Sequence, residues 1–314
     1  MGIGGFIDIE INSNKKYHQN FLSFNYGRYA FEYILKIRDY KEVHIPYYTC
    51  EAIKETLKKL NIKFHMYEID TDLKPIFKKE ILSEGVGFLY TNYFGIMDSH
   101  IQKSYIKNLI IDNSQSFFSK DFENADSFNS IRKFFGVPDG SYAFVKNRKC
   151  NLYSKLKRDI SFKNYIHLLK RADLGASSSF IEYVEYENSI KDKKMMKISF
   201  LTEKILKTID YNYINTKRLN NFNYLADRLN EKNKLKFVLA NEISPICYPF
   251  LCENKKLKQK LLENNIFVPT YWKSVLKECK KNSWEHYLAN YLLPLPIDQR
   301  YDIKDMNKIL KIIE

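Results

Sequence analysis

A lysine and an acid about twenty residues before it are the side chains of this sequence best suited to covalent chemistry. Asp112 ends the apolar run 109–111, and Lys133 lies between Arg132 and two phenylalanines. A lysine amine can form a Schiff base with an aldehyde, and an apolar, cationic neighbourhood favours the free amine that attacks. A carboxylate can hold a pyridine nitrogen protonated, which makes the ring an electron sink. An acid at a strand end, then a strand, then a lone lysine therefore predicts a pyridoxal phosphate (PLP) site.

Two other segments could hold the rest of such a cofactor. The segment Asn25-Tyr26-Gly27-Arg28 opens a predicted helix, whose first amides can bind an anion and whose arginine can add a fork to a phosphate. Gln115 follows Asp112 in a loop and could reach a ring hydroxyl. Each also has a structural interpretation, because a glycine can cap a helix and an Asp or Gln can satisfy the backbone groups of a loop.

Two residues are candidates for substrate contact. Tyr93 is an aromatic residue just past a strand end, where it could meet the substrate or the cofactor ring, or pack in the core or in a dimer contact. Arg300 lies in the distinctive segment 296–301 and could bind a substrate carboxylate or phosphate, or anchor the small domain.

The elements that must position these residues alternate along the first half of the chain. Apolar runs and helical periodicity predict strands at 42–45, 63–69, 86–91, 108–112 and 141–146, and helices at 27–36, 51–60 and 101–107. Such alternation indicates an α/β fold with a mostly parallel central sheet, right-handed crossovers and flanking helices. Ligands of such sheets collect outside the carboxyl ends of the strands, where the candidate residues lie.

The second half of the chain has a different pattern. It is mostly helical at 151–230, with strands at 237–239 and 246–251 and helices at 255–264 and 305–313. We therefore expect a large cofactor-binding α/β domain at 1–200 and a smaller α+β domain at 201–314.

Composition excludes several classes of protein. Of the 314 residues, 45% are hydrophobic and 28% charged, as in ordinary globular proteins. The net charge of +14 comes from lysines mixed with acidic residues, so we expect solvated helix faces and no nucleic-acid partner. The five cysteines form no CxxC pair and the histidines show no ligand spacing, which predicts no metal site and a reducing, cytoplasmic location. No apolar run reaches 18 residues, which predicts no membrane insertion.

Together these segments resemble the DegT/StrS family of PLP-dependent aminotransferases, best known for amino-sugar biosynthesis. More closely, the chain is similar to a compact branch of that family that is found with surface-polysaccharide genes. The resemblance is carried by Gly4-Gly5-Phe6, Gly27-Arg28, the segments 46–50 and 92–95, Asp112-Asn113-Ser114-Gln115, Lys133, and the segments 267–272 and 295–300.

The resemblance implies a homodimeric enzyme of PLP fold type I. An amino donor, such as glutamate, would load the cofactor, and a keto group on a sugar nucleotide or related metabolite would accept the amine. Lys133 would form the internal aldimine and move the proton, Asp112 would pair with the pyridine nitrogen, and Gln115 with the ring oxygen. The phosphate would be bound by the amides of Asn25 and Tyr26 and by Ser127.

The sequence departs from the family pattern at three places. Cys50 stands where a stacking aromatic is expected, and the spacing from Ser127 to Lys133 is one residue longer than usual. The Gly-Tyr-Asn-x-Arg segment of the partner subunit has no equivalent, the nearest stretch being 193–197. Two alternative hypotheses follow: a different PLP reaction on an amino acid, and a non-catalytic scaffold of the same fold that binds a ligand or partner.

Overall fold

The computed structural model describes residues 7, 9–11, 14–78, 83–122, 124–147, 151–239 and 242–314. Cys150 and the segment Gly4-Gly5-Phe6, which contributes to the family resemblance, lie outside the described residues.

An eight-stranded sheet is built from the first half of the chain. Its strands are β1 (Leu22–Phe24), β2 (Glu42–Pro46), β3 (Lys63–Ile69), β4 (Pro75–Ile76), β5 (Val86–Thr91), β6 (Leu109–Asn113), β7 (Ala125–Asn129) and β8 (Ser141–Phe144). Their order is β1-β8-β7-β6-β5-β2-β3-β4. The five strands from β3 to β7 in this order pair in parallel, whereas β1, β8 and β4 are antiparallel. The prediction of a mostly parallel α/β sheet is therefore confirmed.

Helices cover both faces of this sheet and make up most of the second half of the chain. They are α1 (Gly27–Arg38), α2 (Glu51–Lys59), α3 (Asp98–Gln102), α4 (Ile166–Ser178), α5 (Phe180–Ser189), α6 (Phe200–Leu206), α7 (Tyr211–Leu229), α8 (Lys255–Glu263), α9 (Val275–Glu278), α10 (Trp284–Tyr291) and α11 (Ile303–Ile313). None of those in the described part of the chain has the length and apolar character that a membrane crossing requires.

Helix α1 is fixed by its apolar face against the sheet. Phe31, Ile34 and Leu35 recur at helical spacing, are at most 1% exposed, and belong to one core cluster with β2, β5, β6 and β7. The Phe31 ring lies 5.2 Å from the ring of Phe128 in β7. This packing sets the amino end of α1 beside the carboxyl end of β7, where the candidate site lies.

The last third of the chain has a core of its own. Strands β9 (Cys247–Leu251) and β10 (Leu292–Pro296) form an antiparallel pair covered by α7, α8 and α11. A reciprocal capping box between Asp302 and Asp305 begins α11. Because this cluster draws only on residues after 221, we propose that 201–314 is a smaller domain. Two separate calorimetric transitions would support that division, and a single cooperative one would contradict it.

Two predicted elements were wrong, and the sequence analysis gave no residue range for strands β1, β4, β7 and β10. The helix expected at 101–107 is instead Asp98–Gln102, and residues 237–239 are not a strand. Strand β10 was missed because its two prolines disfavour a strand. Pro294 is in register with Pro249 of β9, and a two-stranded sheet leaves each strand a free edge that tolerates residues without an N–H.

Candidate functional site

The carboxyl ends of β5, β6 and β7 bring three loops together. These strands are adjacent and parallel, so the segments that follow them leave the same edge of the sheet. The segments are the 3₁₀ turn Tyr93–Gly95 after β5, the loop 114–119 after β6, and the 3₁₀ turn Ile131–Lys133 after β7. Three of the predicted cofactor residues lie in or beside them.

Asp112 is held at the end of β6 as a buried carboxyl. It is 5% exposed, and its Oδ1 accepts a hydrogen bond of 2.8 Å from the amide of Ser114. Burial raises the pKa of Asp112, because water no longer solvates the carboxylate, and the nearby Lys133 ammonium acts in the opposite direction. Lys133 and Asp112 are therefore electrostatic neighbours.

Lys133 projects from a turn whose other side chains are anchored. Ile131, Phe134 and Phe135 are buried, whereas Lys133 is exposed. No described residue makes a hydrogen bond or an ion pair with its amine. Burial raises the pKa of the Cys50 thiol, Asp112 adds to this rise, and Lys133 opposes it. The structure thus brings Lys133, Asp112 and Cys50 into one place.

Gln115 carries an oriented amide in the loop that follows β6. It is 2% exposed, and its Oε1 accepts a hydrogen bond of 2.7 Å from the amide of Phe94. This bond fixes the oxygen, so that Nε2 is left as a buried donor without a partner. A Cβ on Gly95 would lie 2.9 Å from the Gln115 carbonyl oxygen at φ +82°, so only glycine fits this close approach.

Tyr93 is part of the packing beneath the site. It is 1% exposed, and its hydroxyl donates a hydrogen bond of 2.8 Å to the Tyr48 carbonyl. The structure therefore offers no open Tyr93 side chain to a substrate.

The amino end of α1 lies against two serines. A Cβ built on Gly27 would have as its nearest neighbours the Asn129 carbonyl oxygen at 3.3 Å, the Ser130 Cβ at 3.7 Å and the Ser114 Oγ at 3.9 Å. The first amides of a helix have no partner within the helix. The Ser114 hydroxyl, the Ser130 side chain and the first amides of α1 thus lie at the position where a phosphate could bind. Sequence analysis missed Ser114 and Ser130, because only the fold brings them to this helix end.

Ser127 lies on the other face of the sheet. It is in register with Ile111, whereas Asp112 is in register with Phe128, and side chains of neighbouring strands alternate between faces together. Its Oγ is buried and has no partner, but Ser127 is not among the nearest neighbours of Gly27. The structure places Ser130, not Ser127, beside the amino end of α1.

Asn25 and Arg28 are already bound to other protein groups. The Asn25 amide donates to the Met196 carbonyl at 3.0 Å, and its side-chain nitrogen donates to Asp159 Oδ2 and the Lys194 carbonyl, both at 3.0 Å. The Arg28 guanidinium pairs with Glu55 at 3.3 Å. The amide of Asn25 is therefore unavailable to a phosphate, which leaves those from Tyr26 onward.

Tyr26, at the amino end of α1, belongs to a second cluster of side chains that the sequence did not indicate. The Arg132 guanidinium lies 5.6 Å from the Tyr26 ring and 5.1 Å from the Tyr186 ring, and pairs with Glu187. The Tyr186 hydroxyl donates to the Tyr26 hydroxyl at 3.2 Å. Helix α5 is thereby held over the lysine turn.

Arg300 is paired within its own loop. Its Nε and Nη2 donate to the two oxygens of Asp298 at 2.7 and 2.9 Å, and this carboxylate raises the pKa of the guanidinium. Half of the Arg300 side chain is exposed. Its charge is thus compensated before any substrate carboxylate arrives. Among the described residues, no group of His, Cys, Asp and Glu side chains is arranged to hold a metal ion.

Comparisons with known proteins identify the fold. No family model and no curated protein matches the chain. Among solved structures, the candidate sugar aminotransferase Spr1654 of Streptococcus pneumoniae in its PLP form is 15% identical, with 94% of this chain and 87% of that chain covered at a TM-score of 0.63. The sugar aminotransferase CalS13 of Micromonospora echinospora is 10% identical, with 94% and 87% covered at 0.60.

A third structure agrees with these two. The DegT DnrJ EryC1 StrS aminotransferase of Brucella abortus is 14% identical, with 93% of this chain and 84% of that chain covered at a TM-score of 0.59. Likeness over almost the whole of each chain, at identities this low, is a likeness of fold. The chain therefore has the PLP fold type I architecture of these aminotransferase structures.

Proposed function

We propose that the chain is a PLP-dependent aminotransferase that aminates a keto group on a sugar nucleotide or related metabolite for surface-polysaccharide biosynthesis. One observation carries the proposal: Lys133 follows β7, the strand that pairs in parallel with the end of β6, where the Asp112 carboxyl is buried, and the two charges are within electrostatic reach of each other. The structural neighbour Spr1654 has been solved in PLP and PMP forms, which supports the cofactor. Several of these neighbours are named as sugar aminotransferases, which supports a sugar substrate, and we further propose that the enzyme is cytoplasmic.

The unsatisfied groups of the site match the polar atoms of PLP. The cofactor, when bound, supplies an aldehyde and a pyridine ring that withdraws electrons from the reacting carbon. Asp112 would bind the protonated ring nitrogen, which offers its buried carboxylate the cation it lacks. Gln115 Nε2, a donor without a partner, would bind the ring oxygen. Each of these contacts would remove the free-energy cost of a buried polar group that has no suitable partner in the cofactor-free protein.

The phosphate group would bind at the amino end of α1. The first amides of α1, the positive end of the helix dipole and the side chains of Ser114 and Ser130 would together form an anion site there. In this assignment Ser114, Ser130 and the later amides take the place of Ser127 and the Asn25 amide, because the fold brings them closer to the amino end of α1.

Lys133 would have two tasks. Its amine would make the covalent bond to the cofactor, and after displacement by a substrate amine it would act as the base that moves a proton. The buried neighbours Ile131 and Phe134 hold the turn from which the exposed Lys133 side chain projects.

We also infer that the enzyme works as a homodimer. Ten large apolar side chains of the segment 160–200 are left 39% to 72% exposed: Ile160, Phe162, Ile166, Leu169, Leu174, Phe180, Ile181, Tyr183, Val184 and Phe200. Their exposed area, on the order of 1,000 Å², exceeds the few hundred Å² usual for a monomer and is comparable with one side of a standard interface. Light scattering should give twice the monomer mass of 37.5 kDa, and a monomer at micromolar concentration would contradict the inference.

The visible spectrum of the purified protein tests the proposed function. With added PLP we expect an absorption band, its loss on borohydride reduction, and a cofactor-modified peptide that contains Lys133. L-Glutamate added without borohydride should then change the band and release the corresponding keto acid. A protein that forms no adduct at saturating PLP would instead support the non-catalytic scaffold.

A further inference from the structure

A buried arginine from the second half of the chain lies behind the candidate site. Arg218 of α7 is 1% exposed. Its Nη1 donates to Gln299 Oε1 at 3.0 Å, and its Nη2 donates to the carbonyls of Pro245 and Ile246, both at 3.0 Å. Its guanidinium also lies 4.7 Å from the centre of the Phe134 ring. One cation thus joins a loop before β9, a loop after β10 and the lysine turn.

Two contacts lead from Arg218 to Lys133. Gln299, oriented by Arg218, donates from Nε2 to the Phe134 carbonyl at 2.8 Å. Phe134 directly follows Lys133, and its amide donates to the Ile131 carbonyl at 3.0 Å, which closes the turn. The ring of Phe134 is therefore held by Arg218 and its backbone by Gln299.

Two further contacts lead from Arg218 to Gln115. Ile246, whose carbonyl is bound by Arg218, donates its amide to the Phe94 carbonyl at 2.9 Å. The Phe94 amide in turn donates to Gln115 Oε1 at 2.7 Å. This bond occupies Oε1 and leaves Gln115 Nε2 as a buried donor without a partner. The same guanidinium is therefore linked to the lysine turn and to the Gln115 side chain through one intermediate residue or two.

A structural role alone explains this arrangement poorly. Burial lowers the pKa of Arg218 to about 10, so that it stays charged at neutral pH and its desolvation is a real cost. An apolar side chain of similar volume could fill the same space without that cost. An arginine, in contrast, offers several donors in a rigid fork, which can fix three backbone and side-chain oxygens at once.

We propose that Arg218 is a positioning residue that, through Gln299 and Ile246, sets the Lys133 amine and the Gln115 amide in register for the ligand between them. This inference rests on the proposed function for the identity of that ligand. Its core, that residues of the second half fix the position of Lys133, holds without the cofactor.

Two variants and one control test the proposal. Gln299→Leu removes the bond to the Phe134 carbonyl at a half-buried position, and Arg218→Lys keeps the charge but loses the fork. Arg228→Gln is the control, because Arg228 lies on the same helix and also stacks on a ring, that of Tyr224 at 3.6 Å, but is exposed. Circular dichroism selects folded variants, and Gln299→Leu suffices if Arg218→Lys does not fold.

The first measurement needs no cofactor. The rate at which acetic anhydride labels Lys133 in the cofactor-free protein is read by peptide mass and referred to the exposed Lys120 in the same sample. We expect Gln299→Leu and Arg218→Lys to change this ratio by at least threefold and Arg228→Gln to leave it unchanged. A ratio unchanged in both folded variants would overturn the proposal.

The second measurement separates the inference from the proposed function. With PLP added, the pH midpoint of the visible band should shift by at least half a unit in the two variants and not in the control. Wild-type protein that forms no band would overturn the proposed function, while the labelling ratio still decides the role of Arg218. A band whose midpoint is the same in all variants, with equal labelling ratios, would leave Arg218 with packing alone.

Discussion

Lys133→Ala is expected to abolish the borohydride-stable bond to PLP and to lower amino transfer by on the order of 10⁴-fold. The variant removes both the amine that would bond to the cofactor and the base that would move the proton. PLP should still bind without a covalent link, because Asp112, Gln115 and the amino end of α1 are untouched. The absorption band should accordingly shift away from that of the wild type, as followed by visible spectroscopy before and after borohydride.

The fold of this variant should be intact. Lys133 is exposed and makes no hydrogen bond or ion pair with any described residue, so its removal should change the free energy of unfolding by no more than about 0.5 kcal/mol. Lys120→Ala, at an exposed lysine of the loop before β7, is the matched control and should behave as wild type in every measurement. A variant at Lys133 that retains the reducible band would transfer the covalent role to another lysine.

The sequence could predict that Asp112 and Lys133 lie near each other, because this follows from the order of the strands along the chain. Strands β6 and β7 are consecutive, parallel and adjacent, so residues after their carboxyl ends must meet at one edge of the sheet. The apolar run 109–111 locates β6 without knowledge of its partners. Strand β7 has the mixed sequence Ala125-Asp126-Ser127-Phe128-Asn129, and a strand before Lys133 was predicted without its bounds.

The rest of the site depends on contacts that have no periodic signal. Gln299 and Phe134 are far apart in the chain, and nothing in the local pattern of either indicates the bond between them. Ser130 lies beside α1 where Ser127 was expected, and the reason is local. Strand β7 ends at Asn129, and the residue that follows the strand, not one within it, lies against α1. The sequence likewise could not show that the side chains of Asn25 and Arg28 are already bound. Their partners Asp159, Lys194 and Glu55 are brought to them only by the fold.

Asp112→Asn is expected to separate cofactor binding from catalysis. The amide can still accept the bond from the Ser114 amide, so the loop should keep its shape. It cannot hold a pyridine nitrogen protonated, so amino transfer should fall on the order of 10²–10³-fold while PLP still bonds to Lys133. Steady-state kinetics with borohydride trapping in the same sample distinguish the two effects. Full activity in this variant would remove Asp112 from the proposed role.

The raised pKa of Asp112 adds a second, opposite expectation for the cofactor-free protein. A carboxyl whose pKa is higher in the folded than in the unfolded state costs stability as pH rises through the unfolded value. At neutral pH the neutral amide avoids that cost, so Asp112→Asn should melt at a higher temperature than wild type without PLP. Added PLP should raise the melting temperature of wild type more than that of the variant, because only the carboxylate gains a cation.

The affinity for PLP should depend on the ionisation of Asp112 as well. Wild-type affinity for PLP should fall as pH decreases through the Asp112 pKa, which burial places above that of an exposed aspartate. The Asn variant keeps the phosphate site and Lys133, so losses that arise from those groups remain in both proteins and cancel in the ratio of affinities. That ratio should approach one in acid and grow towards neutral pH. A ratio that is constant across this range would mean that the Asp112 charge does not bind the ring.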